Sequence, residues 1–286
     1  MEIVSRPPPL PPRPRNANKV TSGRVVVIGG SRGMAGAPSM AALGAHRAGA
    51  GLVRIAVPPA IFDTVAAHRP ESMCVPVTGG PLDAIAHDTE DSIREAIEGW
   101  DVVVLGPGLG RKPGTAEVVR TLTLEMTQPL VLDADGLFAW GGDISGLAAR
   151  AAATVLTPHE GEAARLLGTT SKEIRADRAA AARTLAEQSG AVVVLKGPNT
   201  IVTDGTQVYV NESGGPVLAT GGSGDVLAGL IGGLLGTHGL STFDAGCIGV
   251  YAHGAAADLI AGGRDRGLLA TELAAGIPDV LAGMRG

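Results

Sequence analysis

Hydrophobic segments of two kinds alternate along this 286-residue chain. Short runs rich in Val, Ile and Leu have the composition of buried strands, whereas the longer Ala- and Leu-rich segments between them are typical of helices. The pattern predicts strands over 24–29, 52–57, 100–105, 129–132, 154–156, 191–195, 200–203 and 207–210. It predicts helices over 38–48, 61–67, 115–127, 161–167 and 172–189, and a helical chain from residue 225 on.

The order of these elements predicts the fold class. Uninterrupted apolar strands that alternate with helices are typical of a parallel sheet covered on both faces. Asp204-Gly205 lies between the last two strands and is typical of a tight hairpin, which adds an antiparallel edge. We therefore expect an α/β fold in which residues 21–286 form one domain, preceded by a proline-rich, flexible leader over residues 1–20.

A glycine-rich turn, GGSGD at 221–225, directly precedes an apolar segment of helical character. Backbone N–H groups at such a helix start converge at the positive end of the helix dipole, where a phosphate can sit. A carboxylate repels phosphate, so Asp225 is interpreted as a base that takes a proton from a hydroxyl during phosphoryl transfer. The alternative is that these residues only cap the helix.

Composition and charge exclude several classes of partner. Aromatic residues make up 2% of the chain and the net charge is −5, so no nucleic-acid surface is expected. The longest apolar stretch, 226–235, is too short to span a bilayer, and residues 1–20 lack the apolar core of a signal peptide. Cys74 and Cys247 form no CxxC pattern and are expected to be free thiols. We expect a cytoplasmic protein with no membrane partner.

Polar motifs follow most of the predicted strands. In open α/β sheets ligands bind at the carboxyl ends of the strands, so motifs at these ends are expected to form a single site. The motifs are GGSRG at 29–33, GPGLG at 106–110, DAD at 133–135, TPHEGE at 157–162 and KGPNT at 196–200.

The first three motifs each have a structural alternative. GGSRG lacks the GxGxxG spacing, and no acidic residue ends the next strand, so a Rossmann site is not expected. GPGLG suits either close approach of a ligand or a tight turn. Asp133 and Asp135 lie on the same side if their strand continues, and they suit an indirect Mg²⁺ role or a structural one.

The last two motifs also leave two interpretations open. TPHEGE places His159 and two glutamates at a helix start, which is typical of ordinary helix N-termini but also places them at the ligand-binding edge. The spacing is not HExxH, so a zinc site is not expected. Lys196 follows a buried strand, where it can either reach phosphates or remain solvated.

Together and in this order, the segments 33–58, 106–110, 131–137, 156–168, 193–202 and 219–235 resemble the ribokinase-like superfamily. Within that superfamily the chain is similar to the ADP/ATP-dependent NAD(P)H-hydrate dehydratases over about residues 20–283. The resemblance implies a three-layer α/β/α sandwich. It also implies Mg²⁺-dependent dehydration of NADH or NADPH hydrate, driven by ADP, which gives AMP and phosphate, or by ATP.

The resemblance also implies roles for single residues. Asp225 is the implied catalytic base, in the anion hole that the glycine turn forms. The implied contacts of the hydrated nicotinamide nucleotide are Ala37, Gly108, His159 and Asp225. The implied contacts of the adenine nucleotide are Lys196, Gly197, Pro198, Asn199, Thr200, Gly222, Ser223 and Gly224. Glu162 falls at the position of the superfamily's magnesium-linked glutamate, which implies an indirect metal role.

Relatives imply partners as well. Bacterial relatives often carry a fused epimerase domain, so a separate NAD(P)H-hydrate epimerase is expected to act upstream, and a homotetramer is expected. The alternative functions are a ribokinase-like small-molecule kinase of the hydroxyethylthiazole or pyridoxine type, a dinucleotide-dependent oxidoreductase and a non-catalytic nucleotide sensor.

Overall fold

One mixed sheet organises the residues that the computed structural model describes, 1–236 and 240–285. Its strands are β1 (Glu2–Val4), β2 (Arg24–Ile28), β3 (Leu52–Val57), β4 (Met73–Pro76), β5 (Val102–Leu105), β6 (Leu130–Leu132), β7 (Thr154–Leu156), β8 (Val192–Leu195), β9 (Thr200–Thr203) and β10 (Gln207–Asn211). Their order is β1-β10-β9-β8-β7-β6-β5-β2-β3-β4. Strand β9 is antiparallel to β8 and β10, and the other neighbours are parallel. The predicted mostly parallel sheet with an antiparallel hairpin is confirmed.

Helices cover both faces of this sheet. They are α1 (Gly36–Ala48), α2 (Phe62–His68), α3 (Glu90–Ile97), α4 (Thr115–Glu125), α5 (Asp135–Phe138), α6 (Glu160–Leu167), α7 (Ser171–Ala176), α8 (Arg178–Ser189), α9 (Ser223–Leu235), α10 (Thr242–Ala261) and α11 (Ala270–Gly283). Short 3₁₀ turns occupy Pro59–Ile61, Ile144–Ala149 and Pro216–Leu218. Residues 237–239, which fall within the segment predicted to be helical from 225 on, lie outside the described residues.

The alternation of side chains along the strands divides the core into two layers. In β2, Val26 and Ile28 pack with residues of α3, α4, α6 and α8. Val25 and Val27 point to the opposite face, as the pleat requires, and pack with α1, α2, α9 and α10. Helix α11 joins α9 and α10 in a further apolar cluster. The result is the three-layer α/β/α sandwich expected from the sequence.

Helices α1 and α9 approach each other closely because glycines lie between them. A Cβ atom added at Gly229 would lie 1.7 Å from the carbonyl oxygen of Ala41, and one added at Gly44 would lie 2.1 Å from that of Val226. Such distances are far inside van der Waals contact, so neither position accepts a larger residue without moving a helix. This contact fixes the start of α9, and with it the GGSGD turn, against α1.

The N-terminal segment is attached to the domain and is not a free leader. Glu2–Val4 pairs in parallel with residues 207–209 of β10, and the Leu10 N–H donates to the Met284 carbonyl over 2.8 Å. The Arg13 guanidinium donates to the Gly49 carbonyl. The prediction of a flexible leader is therefore corrected. The paired residues Glu2–Val4 precede the prolines, and their extended backbone satisfies the open backbone groups of the edge strand β10.

Other differences from the predicted elements have local causes. The helix predicted over 172–189 is two helices, because Asp177 leaves the helical conformation (φ −149°, ψ 84°) and its side chain accepts from the Ala180 N–H. Strand β4 and helix α3 were not predicted.

Among the helices of residues 1–236 and 240–285, none combines the length and the apolarity needed to cross a lipid bilayer.

The α1–α9 contact predicts that Gly229→Ala destabilises the protein. Overpacking of a well-packed core typically costs about 1–3 kcal/mol, and the obstacle here is backbone of α1 that cannot rotate away. Urea unfolding followed by circular dichroism measures the loss. Gly283→Ala in α11 is the matched control, since nothing lies within 4 Å of its added Cβ. Equal stabilities of the two variants would contradict this account.

Candidate active site

Four strand ends and one helix start bring the predicted motifs to a single edge of the sheet. Gly106–Gly110 follows β5, Asp133–Asp135 follows β6, Thr157–Glu162 follows β7 and Lys196 follows β8. The first turn of α9 lies over the same edge, because a Cβ added at Gly224 would lie 3.4 Å from Lys196 Nζ. The sequence-predicted convergence of these motifs is therefore present in the structure.

A buried ion pair lies at the centre of this edge. The Asp133 side chain is 2% exposed and accepts from Lys196 Nζ over 2.8 Å and from Thr157 Oγ1 over 2.7 Å. Glu162 Oε2 lies 3.9 Å from the same Nζ. Burial opposes the charge on Lys196, but the attraction of Asp133 and Glu162 outweighs it and raises the lysine pKa. Lys196 is thus a permanent cation among carboxylates, not a solvated side chain.

Asp133 and Asp135 do not form a paired carboxylate site. The strand ends at Leu132, and Ala134 takes an unusual conformation (φ 50°, ψ −120°) that sends the two side chains apart. Asp135 accepts from the Gly110 N–H over 2.9 Å and from Arg111 Nε over 3.0 Å. The expectation that both carboxylates share one side is therefore wrong, because it assumed a continuing strand. Asp133 is the ion-pair partner of Lys196.

The start of α9 carries free backbone donors. Gly222 precedes the helix with φ +87°, and the Val226 N–H donates to its carbonyl. Within residues 1–236 and 240–285, the N–H groups of Gly224 and Asp225 have no hydrogen-bond acceptor. Two unpaired donors at the positive end of a helix, next to the Lys196 cation, are suited to bind an anion.

The Asp225 carboxylate shares this environment and titrates near neutrality. Burial raises its pKa, and the negative charges of Asp133, Glu162 and Asp135 raise it further, while Lys196 lowers it, with a net pKa of about 7. A carboxylate with a pKa close to physiological pH is well matched to general base catalysis.

His253 of α10 holds the GGSGD turn through Ser223. This buried histidine of α10 donates from Nε2 to the Ser223 carbonyl over 2.9 Å, and the Ser223 hydroxyl lies 3.2 Å from the same nitrogen. Burial lowers its pKa to about 4, so the ring is neutral at physiological pH. Sequence reasoning missed His253, since nothing in its small-residue helix distinguishes it.

His159 and Glu162 begin helix α6 as a reciprocal cap. His159 Nδ1 accepts from the N–H groups of Gly161 and Glu162, and Glu162 Oε2 accepts from the His159 N–H over 2.8 Å. Because Nδ1 accepts, the ring proton sits on Nε2, which lies 3.4 Å from Glu162 Oε1. The imidazole is 60% exposed. The capping interpretation of the motif is therefore confirmed, and the exposed face of the imidazole leaves the ligand-binding interpretation as a prediction.

Ala37 and Gly108 lie together at the opposite side of this edge. Gly108 is buried against Met34 and Ala37, and a Cβ added there would lie 3.0 Å from the Ala37 Cβ. Gly106 serves a tight turn, because an added Cβ would lie 1.8 Å from the Asp133 carbonyl oxygen. Ala37 begins the helix that packs on α9, which links it to the GGSGD turn.

The predicted nucleotide loop, 197–200, extends outward from the site. Gly197, Pro198 and Asn199 are exposed, and Asn199 has a positive φ of 53°. Arg178 lies beneath the loop, where it donates to the Leu195 carbonyl over 3.1 Å and to Glu160 Oε1 over 2.6 Å. The loop is thus held from α8 and presents its backbone to solvent beside Lys196. Arg178 is a second residue that sequence reasoning missed.

The sheet order, the sandwich and the glycine turn at the start of α9 define the class: this is a ribokinase-like α/β protein. The NAD(P)H-hydrate dehydratase family model matches residues 25–284, and the chain belongs to that family.

Individual relatives agree with this assignment. The ADP-dependent (S)-NAD(P)H-hydrate dehydratase of Neisseria meningitidis is 43% identical over 269 residues, which cover 92% of this chain and 86% of that protein. A bifunctional NAD(P)H-hydrate repair enzyme of Moorella thermoacetica is 42% identical over 275 residues, which cover 95% of this chain. These residues make up 52% of the Moorella protein, so the chain spans about half the length of such bifunctional relatives.

A solved structure agrees as well. The ADP/ATP-dependent NAD(P)H-hydrate dehydratase from Bacillus subtilis, crystallised with ATP and Mg²⁺, superposes with a TM-score of 0.84 at 30% identity. The match covers 97% of this chain and 95% of that one.

The raised pKa of Asp225 predicts a pH-dependent gain in stability for Asp225→Asn. The folded protein holds a proton on Asp225 up to about pH 7, whereas the unfolded chain releases it near the ordinary carboxyl pKa of 3.8. The wild type therefore loses stability as pH rises between these two values, and the amide variant lacks this loss. We expect the variant to have the higher Tm at pH 8 and the difference to shrink toward pH 4 in thermal denaturation scans. A difference that is the same at both pH values would show that Asp225 is an ordinary carboxylate.

Proposed function

We propose that this protein dehydrates NADH or NADPH hydrate to the dihydronicotinamide nucleotide, with ADP or ATP as phosphoryl donor. The observation that carries the proposal is the juxtaposition at the start of α9. A carboxylate with a pKa of about 7 lies beside two unpaired backbone donors and the Lys196 cation. Family membership supplies the substrate class.

The first step is phosphoryl transfer to the substrate. Asp225 accepts the proton of the ring hydroxyl while that oxygen attacks the terminal phosphorus of the nucleotide, and the bond from phosphorus to the leaving nucleotide oxygen breaks. The N–H groups of Gly224 and Asp225 hold the oxygens of the transferring group. Lys196 offsets part of the charge that the phosphates add to a cluster already containing Asp133 and Glu162.

The second step is elimination. The ring nitrogen donates its electron pair as the C–O bond breaks, phosphate departs, and loss of a proton from the adjacent ring carbon restores the double bond. Phosphorylation makes this possible because phosphate is a far better leaving group than hydroxide. Ala37, Gly108 and the exposed face of His159 are proposed to position the nicotinamide nucleotide, and residues 196–200 with 222–224 the adenine nucleotide.

Magnesium is proposed to arrive with the nucleotide. No three His, Cys, Asp or Glu side chains are grouped to hold a metal in the part of the chain that the structure describes. Mg²⁺ commonly needs only one or two carboxylates, often through water, when phosphates supply other ligands. Glu162 fits this indirect role because its carboxylate lies at the site and carries a pKa raised by burial. Bound Mg²⁺ would neutralise negative charge on the phosphates.

We further propose ADP as the preferred donor, as the name of the Neisseria relative indicates for that protein. This preference would give AMP and phosphate as products. A separate epimerase that supplies the reactive epimer of the hydrate, a homotetrameric assembly and a cytoplasmic location complete the proposal.

The test is absorbance at 340 nm with NADH hydrate or NADPH hydrate, MgCl₂ and either ADP or ATP. A nucleotide-dependent rise reports the restored dihydronicotinamide, and the ratio of the two rates identifies the donor. Folded protein that produces no rise with either nucleotide would exclude the dehydratase. Accumulation of a stable phosphoester with a hydroxyethylthiazole or pyridoxine substrate would then identify a kinase.

Asp225→Asn is expected to lower kcat by about a hundredfold or more, because general base catalysis typically contributes 10²–10⁴-fold. The variant keeps the backbone donors, so ADP affinity measured by calorimetry should remain within a few-fold of wild type. Asp91→Asn, which removes an exposed carboxylate on α3, is the matched control. A near-normal rate for Asp225→Asn would remove Asp225 from the mechanism.

A further inference from the structure

A cavity of about 210 Å³ opens beside the candidate active site on the side of His159. Its walls include Arg111, Ala134, Phe138, His159, Glu162 and Arg165. The cavity is continuous with the site because His159 and Glu162 belong to both. The roles assigned so far leave Arg111, Phe138 and Arg165 without a function.

Two guanidinium groups share one aromatic ring in this cavity. The Cζ atoms of Arg111 and Arg165 lie 4.2 Å and 4.4 Å from the centroid of Phe138. A guanidinium group stacked on an aromatic ring contacts the ring with its flat face. The N–H groups at its edge therefore remain available as hydrogen-bond donors. The ring thus holds two forked donors in place, an arrangement suited to phosphate oxygens.

The charges of the cavity single out Arg165. Arg111 is paired with Asp135 over 3.0 Å, and the Glu162 carboxylate is engaged by the backbone N–H and ring of His159. In contrast, the Arg165 guanidinium has neither a hydrogen-bond acceptor nor a carboxylate partner among residues 1–236 and 240–285. The Phe138 ring lies under its guanidinium, 4.4 Å from Cζ. An anion in the cavity would therefore meet an uncompensated cation.

The size of the cavity limits what can enter. Sites for whole drug-sized ligands commonly measure about 300–1,000 Å³, so this cavity holds one group of a larger molecule. A substrate that contacts His159, as proposed above, would have its next group within reach of this cavity, because His159 also lines the cavity.

We propose that this cavity is a subsite for a phosphate group of the dinucleotide substrate, held by Arg165 with help from Arg111. The inference rests on the proposed function for the identity of the dinucleotide. Two groups share this chemistry, the pyrophosphate common to both substrates and the 2′-phosphate present only in the NADPH form.

The test is the binding of NADPH and NADH, which carry the same phosphates as the hydrates, followed by nucleotide fluorescence. Arg165→Gln removes the positive charge and the planar guanidinium group. It keeps most of the aliphatic part of the side chain, which lies against Gly141. Charge-assisted hydrogen bonds are typically strong enough that their loss weakens binding about tenfold or more. Arg183→Gln on α8 removes an exposed arginine elsewhere and is the control for net charge.

We expect Arg165→Gln to raise the Kd of both dinucleotides equally if the cavity holds the pyrophosphate, or that of NADPH alone if it holds the 2′-phosphate. The Kd for ADP and the Tm should match those of Arg183→Gln. Unchanged Kd values for both dinucleotides, or a weakened ADP affinity with unchanged dinucleotide binding, would overturn the proposal. A wild-type protein that binds NADPH through Arg165 but gives no rise at 340 nm would instead refute the proposed function and leave the subsite intact.

Discussion

The ion pair between Lys196 and Asp133 is the interaction on which the candidate site depends. It joins the ends of β6 and β8 and places a cation beneath the first turn of α9. Without that cation, Asp133, Glu162 and Asp225 would face one another as three carboxylates in a poorly solvated space, where like charges repel strongly. With it, the rise that burial and these carboxylates cause in the pKa of Asp225 is partly offset, and the net pKa is about 7.

The same environment would allow the proposed base to lie next to the proposed anion-binding turn. A fully ionised Asp225 would repel the phosphate that the Gly224 and Asp225 N–H groups attract. A carboxylate with a pKa near 7 carries less charge on average, and in the proposed phosphoryl transfer it would gain a proton. His253 contributes by fixing the Ser223 carbonyl with a neutral ring, so it adds no charge to this balance.

Most of the fold could be predicted because strands buried on both faces have few polar interruptions. The runs ending at Ile28, Val57, Leu105 and Leu195 were recognisable for this reason. Strand β4 was not, since an edge strand with a half-exposed Met73 and a proline lacks that signature. The break at Asp177 depends on one side chain within an otherwise helical run, which no periodicity reveals.

The site could be predicted as a set of turns but not as a set of contacts. Strand ends of a parallel sheet must meet at one edge, so the grouping of the motifs followed from topology. Which carboxylate pairs with Lys196 depends on the backbone angles of Ala134, and the support of Ser223 comes from a histidine 30 residues away. The roles of single site residues stay predictions, because contacts of this kind are decided by the packed chain and not by local pattern.

The pairing of β1 with β10 has a consequence for the order of folding. Glu2 lies opposite Gln207, so the two partners are separated by most of the chain. Contacts of such long sequence separation form late, because closing the intervening loop costs entropy that only the assembled sheet repays. The N-terminal strand is synthesised well before the hairpin that it pairs with, and it must remain unpaired until β8, β9 and β10 are in place. We therefore expect the sheet to be completed at this edge by a segment that is made early in synthesis and docks late in folding.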